Sequence, residues 1–227
     1  MLKPQKRLSR VEKQQMKEDK LVTFWFKAIE WIEQYQQYVL GGVAAVVVII
    51  AGVFFYKNYK AGQEQQAAVQ FANAKRLYDS QNYNAAVDTL VRLTNDYSGT
   101  QNAGVGTIYL ANAFMFKKDY PVAERYFRTY LDDYDDDPIL SAAASAGIAA
   151  TFDERGDFAK AAELYEQAAK KFSESYRAPQ FLMDAARCYR LAQKDDNALK
   201  ALTQLVEKYP KSKFVEEAKL MQAELKS

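Results

Sequence analysis

The sequence predicts an all-α chain: a single N-terminal transmembrane helix followed by a solenoid of about four helix pairs and a capping helix. Three observations predict it. Residues 38–56, YVLGGVAAVVVIIAGVFFY, run for nineteen positions without a charge. Beyond them a motif recurs four times, with Ala86, Ala123, Ala161 and Ala198 separated by 37, 38 and 37 residues. A second set, Ala74, Ala111, Ala149 and Ala186, stands twelve residues ahead of the first at every occurrence. Constant offsets of this length mark one supersecondary unit repeated along the chain.

The apolar stretch comes first. At about 1.5 Å of rise per residue, nineteen residues cross a hydrocarbon core roughly 30 Å thick. Val, Ile and Phe dominate it, and Gly41, Gly42 and Gly52 are tolerated in a membrane helix. Residues 1–20 carry seven Lys/Arg against three acids and little that is apolar, which reads as a basic cytoplasmic tail. In residues 21–37, Leu21, Trp25, Ile29 and Ile32 share one helical face, and Trp25, Trp31 and Tyr35 are residue types that settle at a headgroup boundary. The expectation there is an interfacial amphipathic helix, so that residues 21–56 as a whole meet the lipid bilayer. More than thirty residues precede the span and no small-x-small site precedes Lys57, so an uncleaved signal anchor fits better than a cleaved signal peptide. The basic tail favours the amino terminus in the cytoplasm and the remainder outside, although lysines close to the span occur on both sides.

Charge and composition exclude several functions. The net charge is +2, and residues 1–56 carry eight Lys/Arg and five Asp/Glu, which leaves −1 for residues 57–227. A nearly neutral domain offers no electrostatic footprint for nucleic acid. Histidine is absent and Cys188 is the single cysteine. Ser-His and Cys-His nucleophiles and nearly every zinc arrangement are thereby removed. The expectation is a protein that is not an enzyme, with no metal and no cofactor. The acidic run DDYDDD at residues 132–137 lacks the glycine and terminal Glu of an EF-hand loop and reads as a solvated turn. Cys188 reads as a small core residue.

Residues 57–66 form a helical connector with only Gly62 as a weak breaker, so the membrane helix is expected to continue into the first repeat. The four units then occupy residues 67–210: QNYNAAVDTLVRLTNDY, KDYPVAERYFRTYLDDY, GDFAKAAELYEQAAKKF and KDDNALKALTQLVEKYP. An aromatic closes each unit eleven residues after its alanine, at Tyr97, Tyr134, Phe172 and Tyr209. Paired alanines let two antiparallel helices approach closely across a short turn, and such a pair buries its apolar face only by stacking on its neighbours. Asp137 followed by Pro138 reads as an N-cap with proline in the first helical turn. Residues 211–227 supply a helix to cover the open end of the stack.

These units resemble tetratricopeptide repeats. The resemblance rests on the small residue, the aromatic or aliphatic residue three positions on (Leu77, Phe114, Phe152, Tyr189), the Asn/Asp–aromatic turn and the alanine after it. The fourth unit departs from the pattern, with Asp195 at the turn aromatic, and only Pro210 supplies a closing proline. The resemblance implies a concave groove lined by the first helix of each pair. Carried over residue by residue, the groove positions are Phe71, Lys75 and Tyr78; Ile108, Asn112, Met115 and Phe116; Ala146, Ala150 and Asp153; and Met183, Arg187 and Arg190. They suggest an apolar middle and a basic far end, suited to an extended peptide or a partner helix, while packing within the superhelix is the other use such residues have. Lys75, Asn112 and Arg187 resemble part of the carboxylate-binding pattern of chaperone-docking repeats.

The layout as a whole is similar to that of the ancillary subunit family of the bacterial Sec translocon. That likeness implies a single-pass inner-membrane protein with a periplasmic repeat domain, acting as an adaptor or chaperone-like scaffold beside translocon subunits and a membrane-anchored chaperone. The segment YPKSKFVEEAKLMQAEL also resembles repeats of outer-membrane assembly lipoproteins and cell-division coordinators, which leaves an envelope-assembly scaffold as the alternative.

Overall fold

The computed structural model describes residues 10–226, with side chains from Val22 onward; the first nine residues of the expected tail lie outside the described residues. Ten helices and no strand occur among them. The chain divides at Tyr59 into two units, residues 1–59 and 60–227.

In the first unit, α1 (Arg10–Gln34) begins well ahead of the expected amphipathic helix and takes in the last residues of the tail. Tyr35 separates it from α2 (Gln36–Asp79), yet the Tyr35 amide still donates to the Trp31 carbonyl at 3.0 Å, so the break is slight. Trp31, Tyr35 and Tyr38 form a ladder of tilted rings, with centroids 5.4 and 6.4 Å apart. None of the side chains of residues 38–56 is buried, and Val48 and Phe55 are 70% and 71% exposed. By length and composition α2 is the helix, among the described residues, that suffices to cross a membrane. A helix of this composition at the core of a soluble domain would bury those side chains.

The second unit stacks helix pairs. The carboxyl-terminal part of α2 pairs with α3 (Tyr83–Asp96), α4 (Gln101–Phe116) with α5 (Tyr120–Asp133), α6 (Pro138–Glu154) with α7 (Phe158–Lys171), and α8 (Ala178–Leu191) with α9 (Asp195–Lys208). The last helix, α10 (Val215–Glu224), covers α9. All eight repeat alanines, Ala74, Ala86, Ala111, Ala123, Ala149, Ala161, Ala186 and Ala198, are 0% exposed. A methyl group is the largest side chain that lets two helix backbones meet at such points, which is why alanine recurs there.

The turns repeat as faithfully as the alanines. After each first helix one residue takes positive φ: Gln81 (61°), Lys118 (61°), Gly156 (79°) and Gln193 (58°). The next residue's amide then reaches back to the carbonyl of Leu77, Phe114, Phe152 or Tyr189, at 2.9–3.0 Å. This is the Schellman arrangement, and it satisfies carbonyls that a helix end leaves open. That next residue also starts the second helix. Asn82 accepts from the Ala85 amide and Asp157 from the Lys160 amide, whereas Lys194 has no acceptor to offer. Asp137 caps α6 by accepting from the amides of Ile139 (2.7 Å) and Leu140 (3.3 Å), with Pro138 in the first turn as expected.

Neighbouring pairs are also tied at their ends. Glu64 on α2 accepts from the backbone amides of Gln101 (2.8 Å) and Asn102 (3.0 Å) at the start of α4, where the helix dipole favours an anion. The closing tyrosines bond outside their own helices: the Tyr134 hydroxyl accepts from the Gly99 amide at 3.1 Å, and the Tyr209 hydroxyl donates to the Ser173 carbonyl at 2.9 Å.

Candidate functional site

Three first helices, α4, α6 and α8, line one cavity of about 320 Å³ in the second unit. Its floor is α6, where Ala143, Ala146, Gly147 and Ala150 keep side chains out of the way. Gly147 is required by close approach: a Cβ there would lie 2.5 Å from the Phe127 ring, which is buried beneath it. Asn112 enters from α4, and Arg177, Gln180 and Asp184 from α8 and its leading turn. Tyr165 of α7 and Phe181 of α8 complete the lining.

Ile108, Asn112, Ala146 and Ala150 therefore lie on one cavity, as the carried-over positions imply, but the exposure of the set differs from expectation. Ile108 and Met183 retain only 6% and 7% exposure, so they offer a partner little apolar area. The alanine-rich face of α6 draws its neighbours in, and Ile108 packs with Phe127, Ala144 and Ile148. Met115 is half-buried against the same cluster.

At the far end each of the expected cations has a carboxylate neighbour. Arg187 forms a two-pronged ion pair with Asp153 across α8 and α6, one prong being Nη1 to Oδ1 at 3.3 Å. Arg190 pairs with Glu224 of α10 at 3.3 Å. Lys75 is held by Asp79 one turn on, at 2.5 Å. Lys75 and Arg187 are thus each committed to a carboxylate of the chain itself, and the partial carboxylate-binding pattern is not assembled as a set of free cations.

Phe71, Tyr78 and Phe116 come together instead in an aromatic cluster with Tyr83 and Tyr109. Tyr78 meets Tyr109 edge-on at 5.0 Å, Phe71 meets Tyr109 at 5.2 Å, and Phe116 stacks on Tyr83 at 4.8 Å. Phe116 remains 59% exposed. Burial within this cluster pushes the Tyr78 hydroxyl up to about 12.

Sequence reasoning missed Asp184, Gln180, Tyr165 and Tyr109. Gln180, Asp184 and Arg187 are spaced i, i+4 and i+7, which puts them on one face of α8, while Met183 turns inward. That amphipathic spacing was the available signal, and it shifts the groove position on α8 by one residue. Asp184 is half-buried, and desolvation pushes its carboxyl up to about 6. The Cys188 thiol is fully buried and pushed up to about 12 by the same cause, as suits a core residue.

Comparison with known proteins bears on this architecture. A family model described as a tetratricopeptide repeat-like domain matches residues 29–180, a span that takes in the apolar stretch as well as the first three pairs. A second, described as a tetratricopeptide repeat, matches residues 180–212. Similar solved structures include two of nearly identical TPR-like repeats from a putative kinesin light chain of Podosopora anserina. One is 16% identical with a TM-score of 0.57, covering 71% of this chain and 86% of that one. The other, a substituted form of the same repeats, is 18% identical with a TM-score of 0.56, covering 71% and 85%. At such identities the likeness is one of fold. No curated protein matches the sequence.

Proposed function

The chain belongs to the tetratricopeptide repeat-like domain family, whose repeats serve as protein-interaction scaffolds, and from that premise we propose that it is a membrane-anchored adaptor or chaperone-like scaffold. Residues 38–56 anchor it in the bacterial inner membrane, with the amino terminus cytoplasmic and the repeats periplasmic. The groove of α4, α6 and α8 takes an extended segment of a protein partner. The observation that carries this reading is the pairing of an unburied apolar helix with a lined, open groove in one chain. Aliphatic side chains exposed around a whole helix need lipid, and a concave surface with a small-residue floor suits an extended chain. The reading is of a non-catalytic protein.

The layout supports a place beside the Sec translocon, together with a membrane-anchored chaperone, acting on chains that emerge from it. Photo-crosslinkers placed at Asn112 and Gln180 in native membranes test this. Adducts with translocon subunits or the chaperone are the expected result. Adducts confined to outer-membrane assembly or division proteins would replace that reading with the envelope-assembly alternative.

A further inference from the structure

The groove described above holds polar side chains with nothing to bind. Asn112, Gln180 and Asp184 line the cavity, and among the described residues none of them has a hydrogen-bond or ion-pair partner. The charges facing Asp184 are Arg177 and Arg187 on its own side of the groove, Asp153 on α6 and Glu217 on α10, with the Tyr165 ring close by on α7. Arg187 is already committed to Asp153, and the Arg177 guanidinium lies over the Phe181 ring at 5.5 Å. Asp184 is therefore a half-buried carboxylate, facing the cavity, without a salt-bridge partner.

A half-buried carboxylate tolerates this position while water reaches it. A ligand that covers it must either supply a cation or leave a desolvated charge unpaired, which is strongly unfavourable. An acidic segment meets repulsion at Asp184 and finds Arg187 already paired and the cavity's own cation, Arg177, laid over the Phe181 ring. A wholly apolar segment buries the carboxylate with nothing in exchange. We propose that the occupant of this groove is an extended protein segment carrying a lysine or arginine whose side chain enters the cavity and pairs with Asp184. The inference rests on reading the groove as a protein-binding site. The free amides of Asn112 and Gln180, from the α4 and α8 walls, are available to the backbone that lies between them.

The test uses the full chain in detergent micelles and a displayed library of random peptides. Selection should enrich Lys or Arg at one fixed position, and the same selection on Asp184→Asn should lose that preference. For a selected peptide, Asp184→Asn should weaken binding about tenfold, equivalent to roughly 1.4 kcal/mol. Replacing the peptide's lysine with norleucine should cost the same and should add nothing in the Asp184→Asn background, a comparison whose peptide arm needs no protein variant. The pH dependence has a definite sign. The free carboxyl titrates at about 6 and must be ionised to hold a cation, so binding is strong above that pH and is lost as pH falls through it. Between about pH 7.5 and about pH 5 the wild-type affinity should fall about tenfold, and that of Asp184→Asn should stay level. Ala150→Trp, which fills the cavity, separates the two readings. Peptides sensitive to Ala150→Trp but indifferent to Asp184→Asn, or enriched in acids, overturn the basic-segment inference and leave the groove intact as a site. A selection that yields no Ala150→Trp-sensitive peptide overturns both.

Discussion

Gln193 shows how a single position can carry a repeat's geometry against its own preference. It sits at φ 58°, two residues past the end of α8, where the chain reverses and the Lys194 amide reaches the Tyr189 carbonyl at 2.9 Å. For a side chain with a Cβ this conformation costs about 1–2 kcal/mol, while glycine offsets part of that gain through the greater freedom of its unfolded chain. Gln193→Gly should therefore stabilise the protein by roughly 0.5–1 kcal/mol, raising the melting temperature by about 2 °C. A scan of both proteins in the same detergent checks it, and an unchanged or lower midpoint would show that the exposed glutamine contributes more than its backbone strain costs. Residues differ in how openly they state such constraints. Alanine has one physical meaning at a helix crossing, so eight alanines at fixed offsets could be read and all eight proved buried. The left-handed residue could not, because Gln81, Lys118 and Gln193 occupy a position where only Gly156 announces itself.

At the scale of the element, α2 was expected to run through its weak breaker, and it continues past Gly62 to Asp79. A Cβ added at Gly62 would meet nothing within 4 Å. Gly62→Ala should then stabilise the helix by roughly 0.5–1 kcal/mol, purely through backbone entropy and propensity. Urea or heat unfolding of the two proteins measures it, and a loss of stability would mean that the glycine serves a need absent from this packing. The α8 groove face was less legible than the helix itself. Carrying positions over from the family put Met183 and Arg187 in the groove, but α8 lines the cavity with Gln180 and Asp184 and packs Met183 inward. Successive residues on a helix stand about 100° apart, so the neighbour of a carried-over position faces elsewhere, and only the polar spacing of Gln180 and Asp184 could have revealed which of the two lines the groove. Nor does charge content alone disclose pairing. Arg187 and Arg190 read as a basic end until their partners, 34 residues away in each direction, are seen to neutralise them.

For the whole molecule, orientation is the property most open to measurement. Protease added outside intact spheroplasts should digest the repeats from about residue 60 onward and leave a small protected amino-terminal fragment. Protection of the repeats until lysis would place them in the cytoplasm. The basic tail motivates the first outcome, since positive charge is retained on the cytoplasmic side. The alternation that builds the repeat unit has a further consequence. Among the described residues, the helices from α3 to α10 pack principally on the helix before and the helix after, and the contacts that skip a helix, such as α4 on α6, reach back to an element already present. A chain delivered amino end first can thus lock one pair upon the last as each arrives, with loop closures of only a few residues at every step. Vectorial emergence and native assembly then proceed in the same order, with α10 settling on α9 once the pairs before it are in place.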